Sequence, residues 1–168
     1  MPGEGRVTIN DDVWEVVMQT TYAELVSGLS GVESLGDHTG MLFDIGQNTS
    51  IDVQVREMLF NIDIVFIDEG IDNEGNTQYT VSGVYHDVEP GDKEYIGTGR
   101  FFLEVNAGEA EDVEVGDIVE LVYVIDNSTI SRLADMFILL PMMGMAAILA
   151  SEGAKNISVD ASAERRAS

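Results

Sequence analysis

The chain has no cysteine, only two histidines, and only two lysines in its 168 residues. Without cysteine, disulfides, thiol nucleophiles and thiolate metal sites are excluded. The scarcity of base is equally informative. Eight Lys and Arg stand against 31 Asp and Glu, a formal net charge of −23. A field of this sign repels a nucleic-acid backbone and an anionic membrane surface, so neither is an expected partner. The opening MPGEGRVTINDDVWEVV has no apolar run behind a basic region and does not read as a signal peptide. Nucleophile elbows, glycine-rich phosphate loops and histidine pairs at metal-helix spacing are missing as well. No catalytic set, no cofactor and no metal is expected.

What is present is an ordinary core, since hydrophobic residues make up 45% of the chain. That separates it from acidic disordered tails. Six Arg, two Lys and an excess of carboxylates is the composition of proteins that work in molar salt. There the Debye length falls to about 3 Å and self-repulsion is screened. A halophilic, haloarchaeal setting is therefore expected, and no single surface carboxylate marks a site. The charge is also unevenly placed. Residues 1–128 carry 27 acids and four bases, whereas residues 129–168 carry four of each.

Strand-like runs dominate the acidic part. Val13–Met18, Met41–Ile45, Ile62–Ile67, Tyr79–Tyr85, Phe101–Val105 and Ile118–Val124 are short and rich in β-branched or aromatic residues. Asp68-Glu69-Gly70 is expected to stop the third of these. Thr21 to Leu29 reads as a short helix, with Thr21 and Glu24 spaced for a capping box. Ala107 to Glu111 reads as one helical turn at most. The fold class expected is α+β, mostly β: a compact barrel-like domain with a C-terminal hydrophobic helical extension. The expected divisions are an N-terminal arm at 1–12, the barrel-like domain at 13–126, an apolar helical segment at 127–151 and a polar arm at 152–168.

The apolar segment is distinctive. From Met136 to Ala150 no side chain is polar, and four of the eight methionines lie there. As a helix it would span about 22 Å, short of a bilayer core of roughly 30 Å, and Pro141 would kink it. A membrane span is poorly matched. The remaining alternatives are burial against the domain in cis and burial between identical subunits. In the second case the interface would be Met136, Phe137, Ile138, Leu139, Leu140, Met142, Met143, Met145, Ile148 and Leu149, with a trimer favoured.

Candidate chemistry is sparse. His38 and His86 sit in expected loops, and Asp87 or Glu89 could orient His86. The stretch Asp68–Asn76 is dense in oxygen ligands but lacks the order of a standard Ca²⁺ loop, and reads as a polar hairpin connection.

Three segments in order carry a resemblance: Gly28–Leu35 with Gly40-Met41-Leu42-Phe43, Ile62–Asp68, and Phe102–Gly108 with Val115-Gly116-Asp117. Over about residues 13–124 the chain resembles the uncharacterised family called domain of unknown function 192. The resemblance implies a mostly-β, barrel-like α+β domain and no known reaction. The family pattern Phe-Trp-Met-Lys-Asn-Thr is replaced here by Val53–Met58, with the positive charge kept as Arg56. Ser27 and Val32 stand where basic residues are usual. If those positions line a pocket in relatives, the pocket is altered here. Asp63, Glu104 and Asn106 are kept, and such strand-end carboxylates and turn residues can be purely architectural.

Two functions follow as expectations. The first is a non-enzymatic structural or assembly protein, most concretely a capsid decoration or cementing protein of a haloarchaeal tailed virus. Its partners would be copies of itself and a neighbouring capsid or scaffold protein, in a virion assembled in the host cytoplasm. The second is a cytoplasmic domain binding a sugar-like or anionic ligand through Arg56, Asp63 and Asn106.

Overall fold

A computed structural model describes residues 3–124, which lie within a unit running Met1–Asp126. The expected apolar helix at 127–151, its interface residues and the arm at 152–168 lie outside the described residues. The elements are β1 Gly3–Ile9, β2 Asp12–Gln19, α1 Tyr22–Ser27, β3 Thr39–Gln54, β4 Ile62–Ile71, β5 Thr77–Val88, β6 Glu94–Asn106 and β7 Ile118–Val124. The strands form one closed, barrel-like sheet in the order β1-β2-β3-β6-β4-β5-β7, with β7 returning to β1. The fold is thus mostly β. Among the described residues no helix is long and apolar enough to cross a membrane.

The expected N-terminal arm is instead a barrel strand. β1 pairs with β2 on one side (Ile9 opposite Asp12) and with β7 on the other (Val7 opposite Leu121). Asn10 and Asp11 make the two-residue turn, and Asn10 takes the left-handed conformation (φ 55°) that Asn tolerates. The alternation Gly5, Val7, Ile9 points inward, and both Val7 and Ile9 are fully buried. Gly5 lets β7 approach, since a Cβ there would lie 2.9 Å from the Val122 carbonyl oxygen.

β2 and β3 are parallel, so a crossover must join them, and α1 sits in it. The capping box forms as its spacing predicts. Thr21 Oγ1 accepts from the Glu24 amide at 3.4 Å, and Glu24 Oε2 accepts from the Thr21 amide at 3.0 Å. The amides of Thr21 and Thr20, both donating to Glu24 Oε2, hold the Glu24 carboxyl below its ordinary pKa. The helix ends at Ser27, two residues before the expected end, because Gly28 turns to φ 43°. The segment 107–112 forms turns rather than a helical turn.

β4 and β6 run through the middle and are covered on both faces. Every residue from Ile62 to Ile67 is buried. Val65, Ile67, Phe101, Leu103 and Val105 face the barrel interior with Trp14. Ile62, Ile64, Phe66 and Phe102 face a second core, closed by Leu29, Phe43, Ile51, Val53, Val55 and Met58. This second core exists because β3 and β6 are longer than their apolar runs suggest. Their register shifts between Asp44 and Thr49, and the outer half of the pair folds across Phe66. Arg100 braces that irregularity, bonding Asp44 through Nε and Nη2 at 3.0 Å each and Glu69 through Nη1. Hydrogen bonding to Asp44, above all, raises its pKa further.

Asp68-Glu69-Gly70 does not end β4, which continues to Ile71. The connection to β5 closes on Asp72, whose Oδ1 accepts from the amides of Glu74 and Asn76 at 2.8 Å each. The oxygen-rich stretch is therefore a hairpin turn whose leading carboxylate is spent on its own backbone.

Gly97 marks the tightest crossing. A Cβ there would lie 2.4 Å from Phe66 Cγ. Gly97→Ala is expected to destabilise the domain by about 1–3 kcal/mol. The measurement is the urea midpoint, which should fall while the m-value is unchanged.

Candidate functional site

The three residues expected to bind ligand do not converge on a cleft. Asp63 is fully buried, and backbone amides occupy it. Asp87 donates to Oδ1 at 2.8 Å; Gly108 and Ala110 donate to Oδ2 at 2.9 and 3.0 Å. This carboxylate pins the β6–β7 turn and the end of β5 to β4. Asn106, one strand away, donates from Nδ2 to the Gly36 carbonyl and to Glu109 Oε1, both at 3.1 Å. Arg56 lies at the surface, with Nε 3.1 Å from Asp92 Oδ1. An exposed pair of this kind contributes about 0–1 kcal/mol.

One of the two histidines differs from expectation. His86 lies within β5 rather than in a loop, and its Nδ1 is 3.9 Å from Asp63 Oδ2. His38 is in a turn and contributes its amide, which donates to Glu109 Oε1 at 3.0 Å. Glu109 Oε2 accepts from Trp14 Nε1 at 3.1 Å. Glu109 thus ties the barrel's buried tryptophan to the turns beside it, a role that sequence reasoning missed. Among the described residues no three His, Asp or Glu side chains form a metal-binding group.

A different carboxylate is chemically open. Glu104 lies on β6 between Met41 of β3 and Ile64 of β4 in register. Its face is that of Phe102, toward the second core, and the residues directly opposite it on both neighbouring strands are apolar. It is 4% exposed, and its Oε2 is sealed from water with no hydrogen-bond partner. Burial pushes its carboxyl up to about 8, so the group is mostly neutral at pH 7 and retains a proton to donate.

Glu104 helps line a cleft of about 260 Å³. α1 and the turn after it supply one wall, with Leu25, Ser27 and Leu29. Val53, Gln54, Glu57 and Met58 also line the cleft, as do Phe43 and Phe102, whose rings stack with centroids 4.2 Å apart. Asp52 and Glu57 are the other ionisable residues of the lining, which contains no base. Ser27 and the 53–58 segment are positions where the chain departs from the pattern it resembles. Arg56, within that segment, does not line the cleft.

The described residues define a small, mostly β protein of the closed-sheet class, with an acid-floored cleft beneath its single crossover helix. The chain belongs to the domain of unknown function 192 family, whose model, described as Uncharacterized ACR, matches residues 5–121. A Sinorhizobium meliloti 1021 protein described as a candidate transcription regulator has a similar structure. The TM-score is 0.58 at 20% identity, over 71% of this chain and 93% of that one. That likeness shows the fold alone. A protein of unknown function from Novosphingobium aromaticivorans DSM 12444 is also similar, with TM-score 0.58 at 26% identity, over 70% of this chain and 83% of that one. No curated protein matches the chain.

The raised Glu104 pKa sets a pH dependence of stability. Between its ordinary value of 4.5 and about 8, the folded protein holds a proton that the unfolded chain releases. This contribution is therefore present in full below about 4.5, is lost as the pH rises toward 8, and stays lost above it. Glu104→Gln cannot ionise and is expected to lose less stability on going from pH 5 to pH 9. The difference between the two proteins should reach a few kcal/mol, at about 1.4 kcal/mol per pKa unit. Urea titrations at fixed salt and both pH values measure it. Parallel behaviour of the two proteins would contradict a neutral buried Glu104.

Proposed function

We propose that this chain is a non-enzymatic binding domain that holds a small ligand against Glu104 in the cleft beneath α1. The observation that carries this reading is the unpartnered, sealed Oε2 of Glu104. Buried polar atoms are almost always hydrogen-bonded, and an exception calls for a reason (a ligand supplies one). The cleft combines apolar walls with few polar groups, the usual makeup of a small-molecule site. Its volume of about 260 Å³ confines the ligand to a small molecule. The cover also favours entry. No residue of α1 is fully buried, and an element with so little buried surface opens at low cost. The lining contains acids and no base, which argues against the anionic ligand expected from Arg56. Methyl NMR spectra of Leu25, Leu29, Val53 and Met58 should move during titration with 2-phenylethanol, phenylacetamide or phenethylammonium. If these methyls stay in place with all three probes, the reading fails.

A second reading rests on the sequence. The unbroken apolar run Met136–Ala150 needs a covering surface, and a second copy of the chain can supply one. On this reading the protein is a homo-oligomeric assembly component of a halophilic system, at its most concrete a decoration protein of a haloarchaeal tailed virus. Removing residues 129–168 should then lower the mass measured by light scattering in high salt to that of a monomer. An unchanged oligomer would count against it.

A further inference from the structure

The chemistry of the cleft narrows the ligand to one class, an inference that rests on the binding reading above. We infer that the cleft takes a small organic monocation, an ammonium on a short apolar body, whose head forms an ion pair with Glu104.

Three observations converge. The first is Glu104 itself, a lining side chain that is 4% exposed and whose Oε2 has no hydrogen-bond partner. A ligand that donates a hydrogen bond and carries a positive charge satisfies that atom and compensates the charge of an ionised carboxylate. The second is the electrostatic lining. Asp52 on β3 and Glu57 in the loop after it are the other ionisable side chains of the cleft. Glu24, the acid of α1, is directed instead to the amides of Thr20 and Thr21. An anion entering here meets acids and no base. A neutral ligand can donate hydrogen bonds to Asp52 and Glu57 but gains no charge attraction from them, whereas a cation is attracted by both. The third is the body of the site. Phe43, Phe102, Leu29 and Met58 present an apolar surface suited to a short hydrocarbon or a single ring.

The ion pair has a proton balance. Before binding, the Glu104 carboxyl keeps its proton because burial disfavours the charged form. When the ammonium arrives, the O–H bond breaks, the carboxylate forms, and the proton passes to the buffer. The ligand keeps all its own protons. Binding of a monocation therefore releases about one proton per site at pH 7, and close to none at pH 9, where Glu104 is already mostly ionised and the ammonium still holds its proton. A neutral alcohol or amide instead binds the protonated carboxyl, and no proton leaves.

The test uses three probes of similar size: phenethylammonium, 2-phenylethanol and 3-phenylpropionate. Isothermal titration of the full chain at pH 7, in two buffers of different ionisation enthalpy, counts protons. The expected result is saturable binding of phenethylammonium with about one proton released. The alcohol should bind at least tenfold more weakly and the carboxylate not at all. Glu104→Gln keeps the shape of the side chain and should weaken the ammonium at least tenfold and abolish proton release. The wild-type proton count tests the ion pair even if that variant fails to fold. Tighter binding of 2-phenylethanol without proton release would overturn the cation inference and leave the binding cleft standing. So would preference for 3-phenylpropionate. If none of the three binds and the cleft methyls stay in place, both the inference and the binding reading fall.

Discussion

Covering the β4–β6 pair on both faces is the constraint from which most of the structure follows. A strand buried on one face can place polar residues on the other, but β4 and β6 have no solvent face along Ile62–Ile67 and Phe101–Val105. The barrel interior takes one face. The other needs its own cover, and the extended halves of β3 and β6, α1 and the loops around Leu29 and Met58 provide it. Gly97 and Gly99 belong to the same requirement. A Cβ at Gly99 would lie 2.5 Å from the Ile67 carbonyl oxygen, so only glycine lets the ribbon lie this close to β4.

Double burial also decides the fate of the carboxylates on these strands. Asp63 and Glu104 are both acids in apolar runs, and both are removed from water. Asp63 points where a tight turn offers amides, and it is satisfied. Glu104 points where the neighbouring strands offer Met41 and Ile64, and it is not. The difference lies in what surrounds each group, since the two side chains share the same chemistry. One became a structural anchor and the other an open polar group beside a cleft. Arg100 shows the third solution, a charge half-buried over Phe101 and held by two carboxylates at a sheet irregularity.

Much of the architecture was legible in the residues. The apolar runs mark β2, β4, β5, β6 and β7, and Thr21 with Glu24 marks the start of α1, because strand and capping signals are local. β1 gives no local strand signal, because two glycines and a low apolar content hide its alternation, although Asn10-Asp11 before β2 carries a turn signal. The site was less legible. Glu104 can be recognised in hindsight as the lone acid of Phe101–Val105, a strand apolar on both faces that must therefore bury it. Nothing local distinguishes it from Asp63, and Glu109 and Trp14 are 95 residues apart in the chain.

By itself the sequence determined where the cores of six of the seven strands form, where the acidity lies and which reactive groups are absent. Period-two alternation, capping residues and composition act over a few residues and need no partner. The tertiary structure alone decided that β1 closes the sheet, that Asp63 is consumed by amides and that Glu104 is left unpaired beside a cleft. Those outcomes depend on which strand lies beside which. Hydrogen-bond satisfaction of a buried group is a property of its neighbours, and neighbours distant in sequence are set only when the sheet closes.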